Sequence, residues 1–122
     1  MPKRVLLIED DLSLLKIYSN KLQLSGYEVS MATTGDEGMR KVVVERPDVI
    51  LLDLILPGKD GFSVLADLKK DPVLAPIPVV IMSNLGQKSD IDRGRTLGAA
   101  DYLIKSDVSL QDLVAKVQQY VH

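Results

Sequence analysis

Short apolar runs alternate with stretches of helical spacing along this chain, and no other feature of the sequence constrains its fold as strongly. The apolar runs lie at residues 5–8, 27–31, 49–52, 77–82 and 102–104. A stretch with apolar residues three or four positions apart follows each run after a short connection. Strands that alternate with helices form a parallel sheet with helices on both faces. We therefore predict an α/β fold with a doubly wound, five-stranded parallel sheet.

Five helices are predicted between and after these strands, over residues 12–25, 35–45, 62–68, 91–97 and 110–121. Gly26 is a C-cap signal for the first helix, and Pro47 stops the second. The last helix has the cleanest amphipathic pattern of the chain. The fourth is weak, because it contains Gly94 and few apolar anchors, and this pattern indicates low local stability.

Length and composition narrow the class of protein. At 122 residues the chain is expected to form one domain, residues 1–122, with a single core. It contains no cysteine, which excludes a disulfide framework and a thiolate metal site. No apolar run could span a bilayer and no signal peptide is apparent, so we expect a cytoplasmic protein that does not enter a membrane. The net charge of −2, one Phe, four Tyr and no Trp give no reason to expect nucleic-acid binding.

One carboxylate, Asp53, lies within the third apolar run. Residues 49–56 otherwise contain only Val, Ile and Leu, which is typical of a strand buried on both faces. An isolated ionised carboxylate is costly to bury unless it is paired or binds a metal. We therefore expect Asp53 where this strand emerges from the core, facing cations.

Polar side chains stand at the ends of four of the five predicted strands. They are Glu9, Asp10, Asp53, Ser83 and Lys105. In open parallel sheets the site lies outside the carboxyl ends of the strands, where the strand order switches. Each residue alone has an ordinary structural explanation, since an acid after a strand often caps the next helix, as we expect of Asp11, and a lone lysine is usually solvated. Their joint arrangement at one edge of the sheet indicates a site.

The residue types at this edge suit phosphoryl transfer. Three carboxylates without cysteine or histidine are hard oxygen ligands, suited to magnesium rather than zinc. Without a metal the acids repel, by roughly 4 kcal/mol for two charges about 4 Å apart at an effective dielectric constant near 20. Lys105 offsets part of this repulsion and could bind a phosphoryl oxygen, and Ser83 supplies one hydroxyl donor. Together these groups favour phosphoryl transfer onto Asp53.

At these residues the chain resembles the receiver domain of two-component response regulators, the CheY-like family, over its whole length. The resemblance rests on the Glu9-Asp10 pair after the first strand, Asp53 followed by Leu56-Pro57 and Asp60-Gly61, Ser83 after residues 78–82, and the segment from Gly98 to Lys105. It implies a flavodoxin-like (βα)5 fold with strand order 2-1-3-4-5.

The resemblance also implies the chemistry of the site. Asp53 would be the phosphoacceptor, taking a phosphoryl group from a phosphohistidine on a sensor histidine kinase or a phosphotransfer protein. Asp10 and Asp53 would bind Mg²⁺ directly, together with the backbone carbonyl of Ile55, and Glu9 would act through water. Lys105 would contact the acyl phosphate. The chain would then be a signalling domain that assists its own phosphorylation and dephosphorylation, not a conventional enzyme.

Two further residues would respond to phosphorylation in a domain of this family. Ser83 would move toward the phosphoryl group, and Tyr102 would turn inward behind it. The partner surface would lie on the last two helices and the fifth strand, and would serve a downstream effector or a phosphorylation-dependent homodimer. The charged residues on that side either take part in a dimer or are solvated, and both possibilities stay open for Lys88, Asp92, Arg93 and Arg95.

The sequence departs from the family pattern around the site. Ser106 follows the lysine where the family usually has proline, so the fifth loop is expected to differ in shape. Asn84 follows the switch serine where a small residue is usual, and is expected to narrow access to Asp53. The residues two positions after the phosphoacceptor and the switch serine, which flank the phosphoryl group, are the apolar Ile55 and Leu85. We hypothesise that they hinder the attacking water and make the aspartyl phosphate long-lived.

Other functions share parts of this pattern. An aspartate-nucleophile phosphohydrolase usually carries a second acid two residues after the nucleophile, where this chain has Ile55, and no cap domain fits in 122 residues. A nucleotide-binding fold is not supported, because neither glycine-rich phosphate-binding motif is present. A module that switches without phosphate stays open, given Asn84 and Ser106. The sole histidine, His122, is terminal and is not expected to take part in phosphoryl transfer. The chain acts either alone or within a larger protein, and both possibilities stay open.

Overall fold

The computed structural model describes residues 2–121, so the expectation for His122 falls outside the described part of the chain. The strands are β1 (Arg4–Ile8), β2 (Glu28–Ala32), β3 (Val49–Leu52), β4 (Val79–Ser83) and β5 (Asp101–Ile104). The helices are α1 (Leu12–Leu24), α2 (Gly35–Glu45), α3 (Gly61–Lys70), α4 (Lys88–Thr96) and α5 (Leu110–Tyr120). The strands form one parallel sheet in the order β2-β1-β3-β4-β5, which confirms the predicted fold class and strand order.

The sheet separates two apolar clusters, because successive residues of a strand point to opposite faces. Leu6 and Ile50 pack on the face covered by α3, and Val5 and Val49 pack on the face covered by α5. Every residue of β3 and β4 is buried, as their near-continuous apolar sequences predict. Polar side chains can therefore meet only where these strands end. Among residues 2–121, no helix is long and apolar enough to cross a membrane.

Strand β4 begins two residues later and ends one residue later than the sequence predicts. Pro78 has no N–H to donate to a strand ladder, and its carbonyl oxygen accepts the N–H of Ile50 at 3.0 Å. At the other end Ser83 pairs with Ile104 of β5. The shift places Ser83 inside the sheet rather than in the loop that follows it.

Helix α4 forms where the weak pattern predicts it and is lightly anchored. Gly94 is its only buried residue, and the N-cap residue Gln87 makes no side-chain cap bond. An ideal Cβ at Gly94 would lie 3.2 Å from the Tyr102 ring, so the absence of a side chain lets the helix approach that ring. The guanidinium of Arg93 lies 4.1 Å from the centre of the Phe62 ring. This cation–π contact makes Arg93 a link to α3, whereas the sequence suggested only a solvated or dimer-forming charge.

Helix α3 begins directly against the end of β3. Asp60 caps it by accepting the N–H of Ser63 at 2.9 Å. Gly61 donates its N–H to the Leu54 carbonyl oxygen at 2.9 Å, and an ideal Cβ at Gly61 would lie only 2.3 Å from the carbonyl oxygen of Asp53. Any side chain at position 61 would therefore displace the backbone that carries Asp53.

Gly61→Ala is expected to lower the free energy of unfolding by about 1–3 kcal/mol, the usual cost of overpacking, because its methyl group would collide with the backbone of Asp53 and Leu54. Urea denaturation measures the loss. Gly86→Ala is the matched control, since its Cβ would meet nothing closer than Cδ1 of Ile104 at 3.4 Å. Equal losses in the two variants would contradict the steric argument.

Candidate functional site

Two neighbouring strand ends bring three carboxylates together. Asp53 follows β3 and donates its N–H to the carbonyl oxygen of Ile8 at 2.9 Å, which places it beside Glu9 and Asp10 at the end of β1. One carboxylate oxygen from each acid lies within 4.8 Å of the others. Glu9 and Asp53 are only 5% and 6% exposed, whereas Asp10 is exposed. The structure thus brings together the acids that the strand-end pattern singles out.

The Lys105 side chain reaches two of these acids from the end of β5. Its ammonium donates to Asp53 Oδ2 at 3.1 Å and also to Glu9 Oε1. Burial alone would lower the pKa of this ammonium, but the hydrogen bonds and charges of the two carboxylates outweigh burial and raise it. A lysine kept charged in this position offsets part of the repulsion among the acids.

Glu9 is a carboxyl group whose charge depends on its surroundings. Burial raises its pKa to about 7, against the lowering effects of Lys105 and of the N–H of Asp11, while the nearby Asp53 adds to the rise. A further cation beside Glu9 would favour its charged form. Asp11 itself caps α1 by accepting the N–H of Leu14 at 3.1 Å, as predicted.

The acidic cluster fits a divalent cation that prefers oxygen. All its side-chain donors are carboxylate oxygens, the ligands that suit Mg²⁺ and Mn²⁺. Asp10 is exposed, so one side of the cluster is open to the waters that Mg²⁺ usually keeps. Ile55 lies beside the cluster, since its N–H donates to Asp53 Oδ1 at 3.4 Å while its side chain is 60% exposed.

Ser83 and Tyr102 both bond to the backbone of Leu85. Ser83 is fully buried, and its Oγ accepts the N–H of Leu85 at 3.2 Å. The Tyr102 hydroxyl donates to the Leu85 carbonyl oxygen. The Tyr102 side chain is buried, and this burial raises the pKa of its phenol. The Tyr102 ring is therefore directed inward in this structure.

Asn84 and Ser106, which depart separately from the family pattern, are bonded to each other. Asn84 Oδ1 accepts the backbone N–H of Ser106 at 3.1 Å. Residues 105–107 form a 3-10 turn, and every peptide bond within residues 2–121 is trans. The Asn84 side chain thus bonds to the turn after β5. The only sequence signal for this bond is that residue 106 is not proline and so retains an N–H.

Tyr18 lies on α1, three residues after the buried Leu15, and also borders the site. With Glu9, Asp53 and Met82 it lines a cavity of about 10 Å³. Burial raises the pKa of its phenol, with a smaller opposing effect from Lys105. Helical spacing indicates that Tyr18 faces the sheet, but it does not reveal how close the residue lies to the strand ends.

Comparisons with known sequences identify the family. The model of the response regulator receiver domain matches residues 5–118. The DNA-binding dual master transcriptional regulator RpaA of Synechocystis is 39% identical over 94% of this chain and 47% of its own length. The chain spans about half the length of this and similar curated relatives.

Solved structures agree with the sequence comparisons. The chemotaxis protein CheY4 of Vibrio cholerae matches with a TM-score of 0.92 and 26% identity, over 99% of this chain and 100% of that chain. The Mn²⁺-bound form of the response regulator Rcp1 matches with a TM-score of 0.84 and 35% identity, over 97% of this chain and 91% of that chain. Because the family model covers residues 5–118, including every residue of the site, this chain belongs to the family of response regulator receiver domains.

Proposed function

We propose that this chain accepts a phosphoryl group on Asp53 from the phosphohistidine of a sensor histidine kinase or phosphotransfer protein, in a Mg²⁺-dependent reaction that switches a partner-binding surface. The observation that best supports this proposal is the position of Asp53. Its buried carboxylate stands at the open end of β3, among two further carboxylates and the Lys105 ammonium.

In the proposed reaction a carboxylate oxygen of Asp53 attacks the phosphorus atom of the phosphohistidine. The new O–P bond forms as the P–N bond breaks, and the electron pair of the broken bond stays on the imidazole nitrogen of the donor. The Lys105 ammonium would neutralise charge on the transferred group, and such charge stabilisation is the main source of catalysis in phosphoryl transfer. The chain supplies positioning and charge, so we propose a signalling domain and not a conventional enzyme.

Asp10, Asp53 and the backbone carbonyl of Ile55 are the proposed ligands of Mg²⁺, with Glu9 acting through water. The ion, when bound, would offset the charge of the acids and of the phosphoryl oxygens. The Mn²⁺-bound form of the similar protein Rcp1 supports a divalent-cation site in a domain of this family.

Ser83 and Tyr102 are the proposed switch residues, because both bond to Leu85 in the connection that leads into the lightly anchored α4. We propose that the surface of α4, β5 and α5 serves a downstream effector or a phosphorylation-dependent homodimer. Residues 1–122 would act as one cytoplasmic receiver domain that itself binds neither nucleic acid nor membrane. Relatives named as transcriptional regulators are about twice as long as this chain, which supports an effector outside it.

A second candidate function is a module of the same fold that switches its partner surface without phosphate. The inward Tyr102, bonded to Leu85, favours this function, because the ring holds the position implied for a phosphorylated domain. The complete set of Asp53, Lys105 and Ser83 supports phosphorylation instead. The two functions differ in whether Asp53 ever carries a phosphoryl group.

With Mg²⁺ and acetyl phosphate, or with a donor protein phosphorylated on histidine, the chain is expected to gain the mass of one phosphoryl group. Asp53→Asn removes the nucleophile and is expected to abolish this adduct, as measured by intact-protein mass spectrometry. Asp92→Asn, at an exposed position of α4, is the matched control and should retain the adduct. Failure of the chain to accept phosphate from its partner kinase would support the phosphate-independent function.

Mg²⁺ is expected to raise the melting temperature. Binding at about 100 times the dissociation constant adds about 2.7 kcal/mol, which corresponds to roughly 10 °C for a domain of this size. Asp10→Asn should weaken this response. Asp53→Asn should raise the melting temperature without metal, because it removes one of three like charges while its amide oxygen still accepts from Lys105.

Differential scanning fluorimetry with Mg²⁺ and with a chelator measures both effects. Asp92→Asn again serves as the control and should behave like the unmodified chain. A melting temperature that responds neither to Mg²⁺ nor to Asp53→Asn would show that the acids are too well solvated to repel one another strongly.

Polar residues in place of Ile55 and Leu85 are expected to shorten the lifetime of the aspartyl phosphate by up to about tenfold, or about 1.4 kcal/mol in the barrier, because they admit the attacking water. Ile55 should contribute more, since its side chain is exposed beside Asp53 whereas Leu85 packs partly against the core.

Decay of the adduct after removal of the phosphodonor gives the lifetime in Ile55→Gln, in Leu85→Gln and in the double variant. Val73→Gln is the control, because Val73 is 58% exposed and lies in the connection between α3 and β4. This connection leads to the amino end of β4, whereas the site lies at the carboxyl ends of the strands. An unchanged lifetime in the double variant would rule out the shielding role of these two side chains.

A further inference from the structure

Asn84 and Ser106 each follow a residue of the site and are joined by a hydrogen bond. Asn84 comes directly after Ser83, and Ser106 comes directly after Lys105. The side-chain oxygen of Asn84 accepts the backbone N–H of Ser106 at 3.1 Å. Every residue except proline supplies such an N–H. The bond therefore depends on the amide at position 84 and on a residue other than proline at position 106.

The bond lies just beyond the last residue pair of the β4–β5 ladder, Ser83 and Ile104. It ties the connection after β4 to the 3-10 turn of residues 105–107, at the point where the ladder no longer joins the two segments. Asn84 and Ser106 are exposed, so their bond competes with water and shifts a local equilibrium by no more than about tenfold. Its influence on the site is therefore geometric.

Lys105 is the first residue of this turn, and its ammonium lies 3.1 Å from Asp53 Oδ2. A lysine carries its charge on a flexible four-carbon stem with many rotamers. A fixed peptide group at Ser106 restricts the backbone of Lys105 and so narrows the positions that the ammonium can reach. We infer that Asn84 is a positioning residue that keeps Lys105 on Asp53 for phosphoryl transfer, an inference that rests on the function proposed above.

Asn84→Leu removes the hydrogen-bond acceptor at nearly constant volume. A bond of this kind changes an equilibrium or a barrier by roughly three- to tenfold, so phosphorylation by acetyl phosphate at fixed Mg²⁺ is expected to slow by that factor. Gln87→Leu makes the same kind of change in the same connection, at a residue whose side chain makes no cap bond, and should leave the rate unchanged. An Asn84→Leu rate equal to that of the unmodified chain would overturn the inference.

Combined variants test whether Asn84 acts through Ser106 and Lys105. Ser106→Pro removes the N–H donor of the same bond. The double variant with Asn84→Leu and Ser106→Pro should therefore react no more slowly than the slower of the two single variants. In a Lys105→Ala background, Asn84→Leu should not slow phosphorylation further. This comparison does not require that the fold tolerate proline at position 106. If Asn84→Leu slowed the Lys105→Ala variant by the same factor as it slows the unmodified chain, the inference would be overturned.

Mg²⁺ binding separates a positioning role from general damage to the site. Release of Lys105 leaves the three carboxylates in place, so Asn84→Leu should retain or strengthen Mg²⁺ binding, measured by isothermal titration calorimetry. A structural disturbance would weaken Mg²⁺ binding together with the rate, and that result would overturn the inference. If the unmodified chain itself gained no adduct from acetyl phosphate or a donor protein, the proposed function would fail and the positioning role with it.

Discussion

The site depends on one ammonium group that lies between two buried carboxylates. A buried carboxylate without a partner is among the most costly groups in a folded protein, and Lys105 bonds to both Glu9 and Asp53. The three groups follow three different strands, so β1, β3 and β5 must end at nearly the same level. The parallel registers of β1 with β3, of β3 with β4 and of β4 with β5 provide this alignment. The sheet register that aligns the three strand ends is therefore also what allows Lys105 to compensate the charge of the two carboxylates.

Much of this arrangement could be predicted from the sequence, because it follows from periodic patterns. The alternation of apolar runs and helical spacing identified all five strands and all five helices. The strand-end rule identified the three acids and Lys105, which meet at one end of the sheet. Periodicity does not say which strands are neighbours, so the strand order came from the family resemblance. The boundaries of β4 were less predictable, because its first pairing residue is determined by the missing N–H of Pro78.

The contacts that the sequence did not reveal are made by loops or between helices. They are the bond between Asn84 and Ser106, the bond of Tyr102 to Leu85, and the stacking of Arg93 on Phe62. Spacing along a strand or helix specifies a face, but a loop has no period, so its partners depend on a backbone path that short-range patterns do not determine. Asp11 was recognised as a helix cap because that bond is local, three residues along the chain.

The inward ring of Tyr102 has a consequence for the size of the signal. Gly94 leaves room for this ring beneath α4, and the carbonyl oxygen of Leu85 accepts a hydrogen bond from the Tyr102 hydroxyl. A partner that recognises only the inward form binds with an apparent affinity reduced by the fraction of molecules in that form. Under the switch role proposed for Tyr102, a ring that rests inward before phosphorylation would leave phosphate only a small remainder by which to raise partner occupancy. Such a domain would have high basal output and a narrow dynamic range along this route, and a wide range would have to come from another part of the surface.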